Sequence, residues 1–246
     1  MSKKKRKVRK SFFPKKPTVS NIMYYNSLVK VLLVIIIIVV SFVFFHYISF
    51  NHHRVKIKTV TTYKDRYIIP ENVLFLGDSI TDFYDLEKYY PDNNVVNSGI
   101  SGDVSDDILN DMYNRVYRYN PSKIFLLIGT NQIPKGDSDD EIVDDIKRII
   151  TNIHDNRSIT KIYVESIYPV NKELNKTMVS TRDNERIVEL NKKIKEEVKD
   201  IKYVEYINIY DSLLKDGVLN DEYSEDGLHL NDKGYEIVTN ILKKYI

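Results

Sequence analysis

A short apolar run, Val73-Leu74-Phe75-Leu76, ends abruptly in Gly77-Asp78-Ser79. A brief apolar run bounded by polar residues suits a strand buried on both faces of a parallel sheet. Its carboxyl end would present a serine hydroxyl, and open α/β sheets bind ligands at that end. Ser79 is thereby a candidate nucleophile; the plainer alternative is that Asp78 or Ser79 only caps the next helix. Three more polar turns follow: NSGISGD at 97–103, GTNQ at 129–132 and SEDGLHLN at 224–231. Serine acyl transfer needs a nucleophile, a base, a carboxylate to orient the base, and donors for an oxyanion. Four polar turns at one edge of one sheet would converge on one pocket and hold those supplies.

Such convergence demands a regular scaffold. Strands are expected at 73–77, 95–97, 123–128, 161–166 and 203–207, and helices at 103–119, 138–154, 181–199 and 232–245. On the first helix Ile108, Met112 and Val116 recur at i, i+4 and i+8; on the second, Ile142, Ile146 and Ile149/Ile150 face inward. The DSDDE start of the second helix reads as an acidic first turn that favours the helix dipole, not as a metal site. His154 is expected on the surface at that helix's end, and Asn231 caps the last helix. An aromatic cluster, Phe83, Tyr84, Tyr89 and Tyr90, follows Ser79. Regular β-α alternation implies an α/β fold with a parallel sheet and helices on both faces. The polar stretch 168–184 is long for a connection and is expected to border the pocket.

Composition bounds the chemistry. The chain of 246 residues has no cysteine, so disulfides, thiolate catalysis and cysteine metal sites are excluded. No P-loop, GxGxxG or metal-ligand cluster is present, and no cofactor is required. Residues 1–66 carry 15 of the 37 Lys and Arg but only one of the 35 acidic residues, Asp65, so a basic front joins an acidic body. The opening MSKKKRKVRK would pass for a nucleic-acid tail. The next stretch argues otherwise, since residues 31–50 (VLLVIIIIVVSFVFFHYISF) hold no Lys, Arg, Asp or Glu. Twenty helical residues span ~30 Å, the thickness of a bilayer core. The run is too long for a typical signal-peptide core, and no small-x-small cleavage site follows it. An uncleaved signal anchor is expected. Ten Lys and Arg lie in 1–30 against five in 51–66, which puts the amino terminus in the cytoplasm and the body outside. His46, His52 and His53 then sit by the outer interface. The expected organisation is a basic tail (1–30), a transmembrane anchor (31–50), a linker or extra edge strand (51–69) and a catalytic body (70–246), with no nucleic-acid partner.

GDSIT, the glycine of SGD, the asparagine of GTN and DGLH occur in that order, and with these four blocks the body resembles the SGNH (GDSL-type) hydrolase family. SIYPVN at 166–171 is similar to acetylesterase and platelet-activating-factor acetylhydrolase-like members. The resemblance spans nearly all of the body and none of the front. It implies a flavodoxin-like three-layer α/β/α sandwich with a five-stranded parallel sheet. It implies Ser79 as nucleophile, His229 as base and Asp226 as the group that orients it. It also implies an oxyanion hole from the Ser79 and Gly102 backbone N–H groups and the Asn131 side-chain amide. Each residue has a plain structural use as well: Asp226 and His229 in a capping turn, Gly102 as a turn glycine, Asn131 as a loop cap. Gln132 departs from the pattern, because many relatives carry Asp there, and this leaves open how Asn131 is held. The expected activity is membrane-anchored serine esterase, cleaving short acyl esters, acetyl foremost, on a small molecule or envelope glycan. Rival expectations are an O-acyltransferase with the same triad, a lysophospholipase-type lipid esterase, and a membrane-tethered binding module without catalysis.

Overall fold

The computed structural model of the protein describes Lys30 and residues 72–246. The expected transmembrane anchor and linker, and the expected basic tail apart from Lys30, lie outside the described residues. Among the described residues no helix is long and apolar enough to cross a membrane.

β1 (Val73–Gly77) is buried along its whole length, as a central parallel strand must be. β2 (Val95–Gly99), β3 (Lys123–Leu127), β4 (Lys161–Glu165) and β5 (Val204–Ile207) join it in one parallel sheet ordered β2-β1-β3-β4-β5. That order is flavodoxin-like, and the chain switches direction between β1 and β3. Both strands therefore deliver their following turns to the crevice at the switch point.

Alternation along the strands splits the core in two. Leu74 and Leu76 of β1, Ile124 and Leu126 of β3, and Ile162 and Val164 of β4 face one side. They pack under α6 (Asp139–Asn156) and α8 (Asn184–Val198), whose buried residues are mostly Ile, Leu and Val. Phe75, Phe125 and Tyr163 pair in register on the other side, with ring centroids 4.8 and 5.0 Å apart. This side is covered by α1 (Ser79–Asp82), α2 (Leu86–Tyr89) and α9 (Asp232–Leu242). Ser138 and Glu141 form a reciprocal capping box that starts α6, and Asn231 caps α9 by accepting the Gly234 N–H.

Two sequence expectations need correction. The 103–119 helix is broken into α3 (Ser105–Asn110), α4 (Met112–Arg115) and a 3₁₀ turn (Tyr117–Tyr119). Ile108, Met112 and Val116 are buried as expected. Beside the break, Arg115 turns inward and binds backbone carbonyls at the strand ends. His154 is not a plain surface residue: it is half-buried and stacks on Tyr203 with centroids 3.6 Å apart. The 168–184 stretch contains α7 (Lys176–Val179) and buries Tyr168, Val170, Asn171, Val179 and Arg182. A two-stranded hairpin, β6 (Leu214–Lys215) with β7 (Val218–Leu219), turns through Asp216 and Gly217, both at positive φ. Asp-Gly is the residue pair such a turn favours.

Candidate active site

Asp78 and Ser79 turn the chain from β1 into α1. Asp78 takes the capping role, its Oδ1 accepting the Ile80 N–H at 3.0 Å. Ser79 is thereby left as the first helical residue, its hydroxyl directed at His229. The carboxyl of Asp78 is fully buried and its Oδ2 has no partner. Burial pushes its pKa up to about 7; the Ile80 N–H and the charge of Arg182 pull the other way.

Ser79 Oγ lies 2.9 Å from His229 Nε2, and His229 Nδ1 lies 2.7 Å from Asp226 Oδ2. With Nδ1–H donating to the carboxylate, Nε2 is free to accept the serine proton. Asp226 Oδ1 accepts the backbone N–H groups of Leu228 and His229 at 3.0 and 2.8 Å. Burial alone would raise the Asp226 pKa; the hydrogen bonds from the His229 ring and from these backbone N–H groups outweigh it and hold the carboxyl ionised below its usual range. Phe83, which ends α1, sets its ring 5.0 Å from the imidazole. Gly227 has φ +76° and packs so closely on Asn171 that a Cβ would collide with the Asn171 carbonyl oxygen. The Asn171 N–H donates to the Gly227 carbonyl at 2.8 Å, which docks the histidine turn on the chain after β4.

The expected oxyanion groups come from the turns after β2 and β3. Gly102 has φ +88°, in the left-handed region that favours glycine. Asn131 Nδ2 donates to the Asp103 carbonyl at 3.0 Å, so the Gly102-Asp103 turn and Asn131 are joined. Ser79, at the start of α1, has no intrahelical partner for its N–H. Nearly buried Arg115 donates to the Gly77 and Ser98 carbonyls at 2.9 and 2.6 Å and forms an ion pair with Asp103. It thus links the ends of β1 and β2 to the Gly102 turn. Gln132 accepts from the Ser105 hydroxyl at 2.6 Å and donates to Asp137 and Asp145, each at 3.1 Å. It ties three segments together and leaves Asn131 to another residue, Arg182, whose Nη2 donates to Asn131 Oδ1 at 2.8 Å.

Residues 75–237 match the model of the GDSL-like Lipase/Acylhydrolase family. The chain belongs to this family. A solved structure from Streptococcus pneumoniae, carrying the provisional name platelet activating factor, is 35% identical, with 73% of this chain and 85% of that one covered and a TM-score of 0.69. An acetyl xylan esterase from Geobacillus stearothermophilus shares the fold at 18% identity, with 71% and 94% covered and a TM-score of 0.55. The N-acylneuraminate cytidylyltransferase of Escherichia coli O18:K1:H7 is 28% identical over 179 residues, which are 71% of this chain. This chain spans 40% of that relative's length. As a GDSL-type enzyme the protein is a serine hydrolase acting on ester bonds.

Of the five site residues expected in this GDSL-type hydrolase, Ser79 opens α1 and the other four lie on turns, all at the carboxyl edge of its sheet. Ser79, His229 and Asp226 form one hydrogen-bonded chain, and Gly102 and Asn131 are joined through Asp103. Sequence reasoning missed Arg115 and Arg182. Arg115 had a signal, since it stands at i+7 from Ile108 on the buried stripe of its predicted helix, where a charge demands partners. Arg182 had only the indirect one of Gln132 in place of the usual acid.

Proposed function

We propose that this hydrolase cleaves short acyl esters, acetyl foremost, on carbohydrate, with Ser79, His229 and Asp226 as its triad. The observation that carries the mechanism is the Asp226–His229–Ser79 chain of hydrogen bonds at 2.7 and 2.9 Å. Ser79 Oγ attacks the ester carbonyl carbon as its proton passes to His229 Nε2. The carbonyl oxygen becomes an oxyanion, met by the N–H groups of Ser79 and Gly102 and the amide of Asn131. Collapse expels the alcohol, which takes the proton back from Nε2, and an acyl-serine remains. Water then attacks that acyl group and gives its proton to Nε2; collapse of this second tetrahedral intermediate returns the proton to Ser79 Oγ and releases the carboxylic acid. Asp226 stays ionised and stabilises the imidazolium formed at each attack.

Carbohydrate is supported by the names of two similar proteins, one an acetyl xylan esterase and one acting on an N-acylneuraminate. One observation favours a second substrate class, lipid esters. Phe83, Ile100, Leu174 and Met178 are exposed large apolar residues, and they lie on the segments that carry Ser79, Gly102 and Arg182. Residues 31–50 anchor the enzyme with its body outside the cytoplasm, a topology supported by the basic excess in residues 1–30.

The test is a rate series with the full-length protein on p-nitrophenyl esters of rising chain length, beside an O-acetylated glycan. The carbohydrate reading expects the fastest turnover at acetyl and release of acetate from the glycan. Rates that climb with chain length and spare the glycan would replace it with the lipid reading. Ser79→Ala, His229→Ala and their double variant are expected to be about equally inactive, because the residues act as a unit. A folded Ser79→Ala protein with near wild-type rates would overturn the mechanism. For topology, protease added to intact cells removes the body; cleavage of an amino-terminal tag instead reverses the orientation.

A further inference from the structure

The Asn131 amide has two orientations of nearly equal shape, and only one of them offers an N–H to an oxyanion. Its neighbours choose between them. Oδ1 accepts from Arg182 Nη2 at 2.8 Å, while Nδ2 donates to the Asp103 carbonyl at 3.0 Å. Flipping the amide would set oxygen against oxygen at Asp103 and N–H against N–H at Arg182. One Nδ2 hydrogen is spent on Asp103, and the second is left for a ligand.

Arg182 is itself immobilised. Its Nε donates to the carbonyl and the hydroxyl of Thr130, each at 3.0 Å. Its Nη1 donates to the Met178 and Val179 carbonyls at 3.2 and 3.1 Å. The side chain is 5% exposed, and Asp78 acts on its charge through space. Burying a guanidinium is costly unless its charge is used. Here one edge of the rigid fork grips the segment after β4 and the other points at the amide oxygen. A cation on an amide oxygen draws electron density from the nitrogen, and the remaining N–H becomes a stronger donor.

We infer that Arg182 is the positioning residue of the oxyanion hole: it locks the Asn131 amide and strengthens the N–H that Asn131 offers to the developing oxyanion. The inference rests on the proposed triad mechanism. It also explains how this chain manages without an acid at position 132, since the amide oxygen is held from the far side by a base on the 171–182 segment.

A double-variant cycle tests it, with the full-length protein, p-nitrophenyl acetate as substrate, and circular dichroism melts as the folding control. Asn131→Ala is expected to lower kcat by about 10²–10³, the usual cost of one oxyanion donor. Arg182→Met is expected to lower kcat by about tenfold to a hundredfold with KM within about threefold, because only a transition-state contact is weakened. In the Asn131→Ala background the same change should cost less than about twofold, because the group it acts through is gone. An Arg182 that merely braces the segment would damage both backgrounds alike, so additive losses overturn the inference, as does an Arg182→Met kcat within twofold of wild type. Should Arg182→Met not fold, Arg182→Lys carries the same cycle: it keeps a cation without the fork, and its smaller loss must also vanish with Asn131. Ser79→Ala in the same assay separates the two failures. If it stays active, the triad mechanism falls; if it is inactive while Arg182→Met runs at wild-type kcat, only the role of Arg182 falls.

Discussion

β1, β3 and β4 show one face made of Leu74, Leu76, Ile124, Leu126, Ile162 and Val164, and another built around Phe75, Phe125 and Tyr163. The first face meets the two long helices α6 and α8, and its contacts need only matching shape. The second carries hydroxyls into the interior, and each has to find a partner. Tyr84 bonds Tyr90 at 2.9 Å and Thr239 at 2.5 Å. Tyr168 donates to the buried Glu165 at 2.5 Å. Tyr235 reaches from α9 to the Ile80 carbonyl at 2.7 Å, one residue beyond Ser79. Dispersion on the aliphatic side supplies stability without direction; the tyrosine side supplies direction, and it directs the turn that holds Ser79.

Truncation on the aliphatic side gives the largest expected effect and breaks the comparison most sharply. Ile149 is fully buried, and Ile149→Ala should cost about 2–5 kcal/mol in denaturant unfolding. The folded fraction should keep its kcat within about twofold. A parallel loss of kcat would mean that the aliphatic face also sets the site.

Glu165→Gln comes next and probes the tyrosine side through pH. Burial pushes the Glu165 pKa from 4.5 up to about 7, while the Tyr168 hydroxyl opposes the rise. The folded state therefore holds this proton more tightly than the unfolded chain. Its contribution is fully present below about pH 4.5 and is lost as pH rises to about 7. The loss amounts to roughly 3 kcal/mol for a shift of this size. Gln cannot ionise, so the variant should match wild type near pH 4 and exceed it above pH 7 in urea melts. Asp78 is shifted in the same direction and adds a parallel decline to both proteins, so the difference between them is the readout. Equal slopes for the two proteins would remove Glu165 from the account.

Tyr235→Phe is the smallest change in stability, about 1 kcal/mol for one lost hydrogen bond. Its kcat should fall several-fold, more than the much more destabilising Ile149→Ala. The reverse ranking of the two kcat values would erase the distinction between the faces.

Much of this was legible in the chain. Each strand is a short apolar run, and the sheet places these runs side by side within a residue or two of the expected limits. Gly77-Asp78-Ser79 and the 224–231 turn announce themselves by residue type, as does the cap at Asn231. What escaped was whatever depends on a distant partner. The kinked 103–119 region looks helical because its apolar spacing is helical, and only the carbonyls of Gly77 and Ser98 explain why Arg115 is buried there. His154 looks like a surface residue until Tyr203, remote in sequence, stacks on it. Arg182 stands at the start of the expected 181–199 helix but lies before the observed one, and its partners belong to Thr130, Asn131 and its own turn. The 214–219 hairpin is a different case, since Asp216-Gly217 carries its turn signal in the local sequence.

Ser79 and His229 meet across 150 positions of sequence, and Tyr235 closes on Ile80 across 155. Synthesis delivers the amino-terminal strands first. A growing chain thus carries Ser79 for most of the time the body takes to emerge, with His229 still unmade and the turn behind Ser79 still uncovered. The Ser79–His229 contact closes only when the histidine turn and the helix after it fold back onto the oldest strand. Under the proposed triad, turnover of ester is therefore a timestamp of that docking, and a chain that has not yet made it is chemically silent.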